Sequence, residues 1–390
     1  MNLNKKFSRR SVLLGSMMAG ASLLAACAPP PAAAPKAAEA PAAAVAAADP
    51  MIDEAKKIAA AASAPVKTWD GPTTGPKAAE GKLVVSVAAD LNNGGITGVN
   101  KGVEEAAAAI GWKMQTIDGK GTLAGQTAAL EQAIALKPDG IIINGGDAAS
   151  LKDALKKASD AGIKIVGWHA GPKAAMPEVF LAANVVSDPI ETSKVAAKYV
   201  IAQTGGKANV VIFTDSTYQI AVDKARAMET EIKACKTCKV LEFVDTPLAE
   251  TSTRMGPLVT SLKQKYGDDM NWMLGINDLY FDFASPGLKS IGVPPGGPPL
   301  SISAGDGSES AYQRIRNGEY QAATIPEPLN LHGWMCIDEL NRAIAGEKAS
   351  GFAMPIHLVT KDNVSVDGGA KNVFDPDNGY RDAYKKVWGK

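Results

Sequence analysis

The chain has few of the residues on which metal binding and catalysis most often depend. Its 390 residues include three histidines and four cysteines, whereas a zinc site needs about four ligands placed close together. It also lacks a GxSxG elbow, a Walker loop and an HExxH helix, the patterns that mark common hydrolases and nucleotide-binding enzymes. We therefore expect a protein that is not an enzyme and that uses neither a metal nor another cofactor.

Net charge and long apolar runs are missing as well. The 41 Lys and Arg residues balance 41 Asp and Glu residues, and a nucleic-acid-binding protein would instead show a basic face. No stretch reaches the roughly 20 apolar residues that a membrane-spanning helix needs. The composition thus excludes nucleic acid as a partner and predicts a soluble domain.

The first 26 residues have the layout of an export signal. Lys5, Lys6, Arg9 and Arg10 precede a short apolar stretch, and the segment around the two arginines resembles the twin-arginine export motif. The letters LAAC, which end at Cys27, resemble the lipobox of bacterial lipoproteins. We expect an exported protein that is anchored to the membrane through lipid on Cys27 and faces the periplasm or the cell exterior. The alternative is a core cysteine in an ordinary N-terminal helix.

Residues 27–81 are predicted to be a lipid-anchored linker. The part before residue 50 is rich in alanine and proline and has almost no large apolar side chain, so it cannot bury enough surface to offset the entropy of ordering. Residues 51–64 have the pattern of one helix. The globular region is expected to begin at about Lys82.

Apolar runs and helical segments alternate from residue 83 onward. The runs contain LVVSVAAD, KMQTID, GIIING, IKIVGW and VFLAANVV, and then ANVVIFTD, KVLEFVD, NWMLGIN and LSISAGD. Near-continuous apolar strands joined by helices indicate parallel sheets that are covered on both faces. Because there are two such sets, each too short for a barrel, the fold class is α/β with two doubly wound parallel-sheet lobes.

The three cysteines beyond Cys27 have different expected roles. Cys235 and Cys238 form a CxxC pair that can close a small disulfide in an oxidising compartment. A redox or metal pair is the alternative, although this CxxC ends a helix instead of following a strand to open one. Cys336 lies at helical spacing among apolar residues and is predicted to be a core thiol.

Ligands of open α/β sheets bind beyond the carboxyl ends of the strands, so the residues after each apolar run are the candidate site. They are polar, amide-rich and aromatic, which suits neutral polyols because amides and carboxylates pair with hydroxyl groups. The candidate ligand-binding residues are Asn93, Trp168, His169, Tyr218, Gln219, Asn277, Asp306 and Glu327.

The order of these motifs resembles the ribose- and galactose-type periplasmic binding proteins of ABC transporters. The resemblance rests on LNN, KPDGIIIN, IND, GDG and AATIPEP, and it covers about residues 82–365. It implies the type I periplasmic binding protein fold, in which three crossover strands join two lobes that clamp a ligand. The crossovers are expected near 187–188, 324–326 and 357–360. Asn93, Asn277, Asp306 and Glu327 match positions where the family usually has hydrogen-bonding residues.

Several positions depart from that family. Gly94, Gly95 and Ile96 stand where sugar binders commonly have aromatic residues, and His169-Ala170 replaces a common Asp-Arg pair. The family arginine at the head of the first second-lobe helix is also missing. Trp168, Tyr218 or Tyr280 would have to supply a stacking surface. An ordinary pyranose or furanose is thus less favoured as the ligand.

The candidate residues also have structural interpretations. Asn93, Asn277 and Asp306 each precede a predicted helix and could cap it. Trp168 ends an apolar strand and could be a core residue, and His169 could belong to a loop without contacting ligand.

The predicted organisation has four parts. Residues 1–26 are the export signal and 27–81 the linker, 82–187 with 326–357 form the N-terminal lobe, and 188–325 with 358–390 form the C-terminal lobe. We expect a monomer that captures a small polar ligand, a sugar or polyol, and delivers it to the permease of an ABC transporter. A periplasmic co-receptor for chemotaxis or for a histidine kinase is the alternative function.

Overall fold

The computed structural model describes residues 49–390, which contain two parallel sheets, one in each lobe. The N-terminal sheet has five strands in the order β2-β1-β3-β4-β5, all parallel. Its strands are β1 Leu83–Ala88, β2 Lys113–Asp118, β3 Gly140–Asn144, β4 Lys164–Trp168 and β5 Ala183–Val185. The central strand β3 is buried along its whole length, as expected for a parallel strand that helices cover on both faces.

The C-terminal sheet has six strands in the order β11-β10-β9-β8-β6-β7. Only the last pair along the chain, β10 with β11, is antiparallel. The strands are β6 Asn209–Thr214, β7 Lys239–Asp245, β8 Trp272–Gly275, β9 Leu300–Ser303, β10 Gln321–Thr324 and β11 Val359–Thr360. The two doubly wound lobes that the alternating sequence predicts are therefore confirmed.

Helices cover both sheets. The α-helices of the described chain are α1 Pro50–Ala62, α2 Gly94–Ile110, α3 Leu123–Ala135, α4 Lys152–Asp160, α5 Pro189–Gln203, α6 Gln219–Ala234, α7 Thr251–Tyr266, α8 Leu279–Ser290, α9 Glu309–Asn317, α10 Leu329–Ala345, α11 Val364–Asp367 and α12 Tyr380–Trp388. Three single 3₁₀ turns lie at Pro177–Val179, Leu248–Glu250 and Gly267–Asp269. Among residues 49–390, no helix is both long enough and apolar enough to span a bilayer.

Between β5 and β11 the chain crosses three times from one lobe to the other, as the family resemblance implies. The chain leaves the N-terminal sheet after β5 and enters the C-terminal lobe at α5, over residues 186–188. It returns after β10 to α10, which packs on α2 and β4 of the N-terminal lobe. It crosses again between α10 and β11, over residues 346–358.

The last helix departs from the predicted division of the chain. We predict residues 358–390 in the C-terminal lobe, and β11 and α11 do pack there. Helix α12 instead packs on α10 and α2 of the N-terminal lobe. Its Trp388 ring stacks on Trp334 with centroids 5.4 Å apart, and the Trp388 indole N–H donates to Asp338 Oδ1 at 2.8 Å. Burial of Trp388 against Trp334 stabilises α12 on the N-terminal lobe, although the preceding helix α11 belongs to the C-terminal lobe.

The segment 50–79 is also misassigned by the sequence analysis, which predicts a linker. Helix α1 packs on α5 of the C-terminal lobe, and Ala55 of α1 is fully buried. The following residues cross to the N-terminal lobe, where Trp69 packs edge-on against Tyr384. There the Arg342 guanidinium donates to the Thr74 carbonyl at 2.7 Å. This segment has few large side chains. It is ordered because those side chains pack on residues of the two lobes that are distant in sequence.

Cys235 and Cys238 are joined by a disulfide that ends α6. Cys336 is a free thiol with no exposed surface, and burial raises its pKa. The disulfide and the core thiol that the sequence analysis predicts are thus both present in the fold.

We expect thiol titration of the denatured protein to find Cys235 and Cys238 reactive only after reduction. The bond closes a short loop, so its loss should lower the free energy of unfolding by about 2 kcal/mol. Titration before and after reduction measures the first expectation, and urea melts of Cys235→Ser/Cys238→Ser measure the second. Detection of all three thiols of residues 49–390 before reduction would contradict it.

Candidate functional site

A cavity lies between the two lobes, at the carboxyl ends of the strands of both sheets. It encloses about 630 Å³ of space free of protein atoms, part of it open to solvent. The lining residues are Ala89, Asp90, Asn93, Ile96, Gly121, Gly145, Trp168 and His169 from the N-terminal lobe, and Tyr218, Ile220, Ala221, Lys224, Leu248, Ile276, Asn277, Leu279 and Asp306 from the C-terminal lobe.

The lobes touch each other across the cavity. Gln126 of α3 donates from Nε2 to the Tyr218 hydroxyl at 3.0 Å, and this hydrogen bond is buried. A Cβ atom on Gly95 would lie 2.4 Å from the Asp306 side chain, and one on Gly94 would lie 2.7 Å from Ser308 Cβ. The start of α2 can therefore approach the opposite lobe only because these two residues are glycines. The arrangement is that of closed lobes.

Asp306 is the carboxylate that opens onto the cavity from the C-terminal lobe. It is 7% exposed, and no hydrogen bond from the described part of the chain reaches its side chain. Burial raises the pKa of Asp306 to about 6, although the nearby Lys224 ammonium favours the ionised form. Lys224 is itself buried in α6 and donates to the Ala304 carbonyl at 2.7 Å. An unpaired acceptor beside a cation is a strong site for a ligand hydroxyl.

A second buried aspartate holds the loop that carries Asp306. Asp278 Oδ2 accepts from the backbone N–H groups of Gly307 at 2.7 Å and Ser308 at 3.2 Å. Its Oδ1 accepts from Gln321 Nε2 at 2.6 Å and from the Ser303 hydroxyl. Burial raises the pKa of Asp278 despite these donors. Asp278 therefore positions the loop that carries Asp306 and is not part of the cavity lining.

Two asparagines of the cavity lining also accept backbone hydrogen bonds at the start of a helix. Asn93 Oδ1 accepts from the N–H groups of Gly95 at 2.8 Å and Ile96 at 3.2 Å and so caps α2. Asn277 Oδ1 accepts from Leu279 N–H at 3.2 Å. In both residues the oxygen faces the helix, which leaves the amide NH₂ group as the donor for a ligand. For Asn93, capping and lining are thus compatible. The N-cap of α8 is Asp278 and that of α9 is Ser308, so neither Asn277 nor Asp306 is a helix cap.

His169 stands in an unusual backbone conformation at the base of the cavity. Its φ angle is 48°, a region that non-glycine residues seldom occupy and that clusters at functional sites. The imidazole stacks on the Trp168 ring with centroids 4.2 Å apart. Trp168 is almost fully buried and donates from Nε1 to His332 Nδ1 at 3.0 Å. The stacked rings of Trp168 and His169 thus line one side of the cavity, and the hydrogen bond to His332 holds Trp168 in place.

A buried cluster behind His169 ties two crossovers together. Ser187 of the first crossover donates to Glu327 Oε2 at 2.5 Å, and Glu327 belongs to the second crossover. His169 Nε2 lies 3.3 Å from Glu327 Oε1, and His332 Nε2 lies 3.7 Å from Oε2. Burial would raise the pKa of Glu327, but the adjacent His169 outweighs it and holds that pKa below its usual value. Burial lowers the pKa of His332 to about 4, so this ring is neutral at pH 7.

The spacing of His169, Glu327 and His332 raises the question of a metal site, because their ligand atoms lie within 4.8 Å of one another. Nδ1 of His332 accepts the Trp168 indole N–H, so Nε2 of the neutral ring carries the proton. That nitrogen has no lone pair for a metal. The cluster is better described as a hydrogen-bonded hinge.

Six of the eight predicted site residues line the cavity, namely Asn93, Trp168, His169, Tyr218, Asn277 and Asp306. Gln219 lies on the surface of α6, where its amide donates to Asp223 Oδ1 at 2.7 Å. Glu327 is held in the hinge cluster behind His169 and is absent from the lining. Among the polar lining residues, the candidate set omits Asp90 and Lys224. Asp90 lies two residues after the end of β1, a position from which the sequence could have identified it. Lys224 lies inside an amphipathic helix, where a lysine gives no such signal.

The chain is similar to one family and to curated relatives. The family described as "Periplasmic binding protein domain" matches residues 83–348. The ABC transporter periplasmic-binding protein YphF of Escherichia coli is 22% identical over 164 residues, which are 40% of this chain and 50% of that protein. The ribose import binding protein RbsB of Bacillus subtilis is 22% identical over 305 residues, which are 78% of this chain and 95% of that protein.

The fold has a close counterpart among solved structures. A solute-binding protein of an ABC transporter from Agrobacterium vitis, bound with α-D-tagatopyranose, superimposes with a TM-score of 0.64 at 19% identity. The match covers 75% of this chain and 98% of that one. The likeness shows that the two proteins share a fold.

Proposed function

The chain belongs to the family of periplasmic binding protein domains, and from this premise we propose that it captures a small sugar or polyol between its lobes and delivers it to an ABC permease. The observation that carries the proposal is the unpaired Asp306 carboxylate, which faces the N-terminal lobe across the cavity. The similarity to a ribose import protein and to a tagatose-bound solute-binding protein supports the ligand class.

Ligand would be bound by side chains of both lobes at once. Asp90, Asn93 and His169 face it from one side, and Asn277 and Asp306 from the other. A solute that bridges the two sets stabilises the closed arrangement over the open one, because only the closed lobes offer every contact. The Gln126–Tyr218 hydrogen bond forms in the same closed state. The permease would recognise this state and accept the released solute.

A melting-temperature screen of the full chain tests the proposal. The panel contains D-ribose, D-tagatose, L-arabinose, D-galactose, a set of four- to six-carbon polyols, and amino acids and nucleosides as unrelated solutes. Binding to the folded state alone raises the melting temperature in proportion to the logarithm of ligand concentration over Kd. We expect at least one sugar or polyol to do so at micromolar to millimolar concentration. Stabilisation by amino acids or nucleosides alone would contradict the proposal.

We also propose that the protein acts outside the cytoplasm as a lipoprotein. The support is the sequence that ends in LAAC at Cys27, together with the twin-arginine motif before it. Both lie outside the residues that the structure describes. The Ala- and Pro-rich stretch after Cys27 would hold the folded lobes away from the bilayer.

Cys27→Ala should release the protein from the membrane, because lipid on this cysteine is the anchor that the sequence predicts. Fractionation of cells that express wild type and variant measures the change, and a detergent-phase partition reports the lipid itself. Cys336→Ala is the matched control, since this buried thiol should not affect partition. A Cys27→Ala protein that stays in the membrane fraction after a high-salt wash would refute the lipoprotein proposal.

A further inference from the structure

The cavity walls are largely aliphatic. Ile96 lines it from the N-terminal lobe, and four side chains line it from the C-terminal lobe: Ile220, Leu248, Ile276 and Leu279. None of these side chains can donate or accept a hydrogen bond. A ligand hydroxyl that faces them in the closed cavity therefore loses its water partners and gains none.

Several of the polar groups that line the cavity are already engaged. Asn93 Oδ1 caps α2 and Asn277 Oδ1 accepts from the N–H group of Leu279, and Asp90 Oδ1 accepts from the N–H group of Asn92 at 2.9 Å. The Tyr218 oxygen accepts from Gln126. The acceptors still open to a ligand are the Asp306 carboxylate and Oδ2 of Asp90, which accepts no hydrogen bond from the described part of the chain. The polar groups of the ligand can therefore be satisfied beside these carboxylates, His169 and the asparagine amides, and not along the aliphatic wall.

The cavity also offers little aromatic surface for a sugar ring. One face of Trp168 is covered by the His169 ring, and Trp168 is only 1% exposed. Gly94 and Gly95 stand at the start of α2 and add no side chain of their own. Tyr218 also lines the cavity but is only 8% exposed. Branched aliphatic groups therefore supply most of the apolar contact surface.

We propose that the cavity selects small solutes that carry hydroxyl groups on one edge and an unsubstituted aliphatic group on another, the class of 6-deoxy sugars, over the fully hydroxylated hexoses. This inference rests on the proposed function and narrows its ligand class. A methyl group against the aliphatic wall is removed from water, whereas a hydroxymethyl group there leaves its hydroxyl unpaired. The difference should be about tenfold in Kd for each matched pair.

Isothermal titration of the full chain with matched pairs tests the inference. The pairs are L-rhamnose with L-mannose, L-fucose with L-galactose, and D-fucose with D-galactose, which differ only by one hydroxyl group. We expect tighter binding of the deoxy sugar in every pair that binds, by about tenfold. A hexose that binds as tightly as its deoxy partner would overturn the inference and leave the proposed sugar-binding function in place.

Absence of binding by all six sugars would also overturn the inference. If the wider panel of sugars and polyols fails to bind too, the proposed function falls with it. The two failures are therefore distinguishable. If a sugar or polyol of the wider panel binds and these six do not, the preference for 6-deoxy sugars is wrong and the proposed sugar-binding function stands.

The Ile220→Thr variant tests whether the aliphatic wall causes the preference for 6-deoxy sugars. Threonine keeps the branched shape of the half-buried Ile220 and adds a hydroxyl that can pair with the hexose. The preference for the deoxy sugar should fall by about fivefold. Ile190→Thr, on an exposed position of α5 outside the cavity, should keep the wild-type ratio. An unchanged ratio in Ile220→Thr would overturn the assignment of the selectivity to this wall.

Discussion

Replacing Asp306 with asparagine should weaken ligand binding by about one to two orders of magnitude and at the same time stabilise the ligand-free protein. The variant keeps the shape of the side chain but loses the charged acceptor that faces the ligand. A hydrogen bond to a charged group contributes about 1.5 to 3 kcal/mol, which corresponds to the expected loss of affinity. Titration of the panel sugar that binds most tightly measures this change.

The gain in stability follows from the pKa of Asp306. Burial raises it from 3.8 to about 6, so between these pH values the folded state binds more protons than the unfolded state. The free energy of unfolding therefore falls as pH rises through this window, and the loss is complete above about pH 6. A shift of this size corresponds to about 3 kcal/mol. The asparagine side chain cannot ionise, so Asp306→Asn should exceed wild type by this amount at pH 7.5 and equal it near pH 3.5.

Asp268→Asn is the matched control for both measurements. Asp268 is fully exposed and lies outside the cavity, so neither affinity nor stability should change. If Asp306→Asn instead lost stability and kept its affinity, Asp306 would be a structural residue and the site would be misplaced.

Replacing Glu327 with alanine should lower the free energy of unfolding by about 3 to 5 kcal/mol, the usual cost of removing one member of a buried charged cluster. The change removes the acceptor of the Ser187 hydroxyl and the carboxylate that lies 3.3 Å from His169 Nε2 and 3.7 Å from His332 Nε2. It also leaves a cavity between two crossovers. Denaturant melts of the ligand-free protein measure the loss.

Glu327→Ala should also weaken binding, because His169 would lose the group that orients it. Glu327→Gln keeps an acceptor for Ser187, so we expect it to recover most of the stability but not all of the affinity. Glu319→Ala, an exposed residue on the turn after α9, is the control. A Glu327→Ala protein that melts like wild type would show that the hinge cluster contributes nothing to the fold.

The elements of both lobes could be predicted from the sequence because each strand is a short run of apolar residues between turn residues. The GIIIN run of β3 is buried at every position. Its shortness, its three β-branched residues and the glycines on either side indicate a strand covered on both faces. The ends of these strands then place most of the cavity lining, since ligands of such sheets bind at the carboxyl edge. Asp306 and Asn277 could be found in this way.

Residues that act through distant partners could not be predicted. Trp69 lies among glycines and prolines, and its order comes from rings near residues 352 and 384. Lys224 has the pattern of a surface lysine in α6, and only the fold brings it beside Asp306. The position of Glu327 between two prolines is compatible both with contact to a ligand and with a place in the buried hinge cluster. In the structure its carboxylate accepts from Ser187 in that cluster. These outcomes depend on tertiary contacts that no local pattern encodes.

The central claim, that both lobes bind the ligand, is tested most directly by hydrogen exchange with and without the panel sugar that binds most tightly. Bound ligand should slow exchange of backbone amides in residues 90–96 of the N-terminal lobe and in residues 303–308 of the C-terminal lobe together, because closure excludes water from both. The far ends of both lobes should exchange as before. Protection confined to one lobe, or found only outside the cavity lining, would contradict the account.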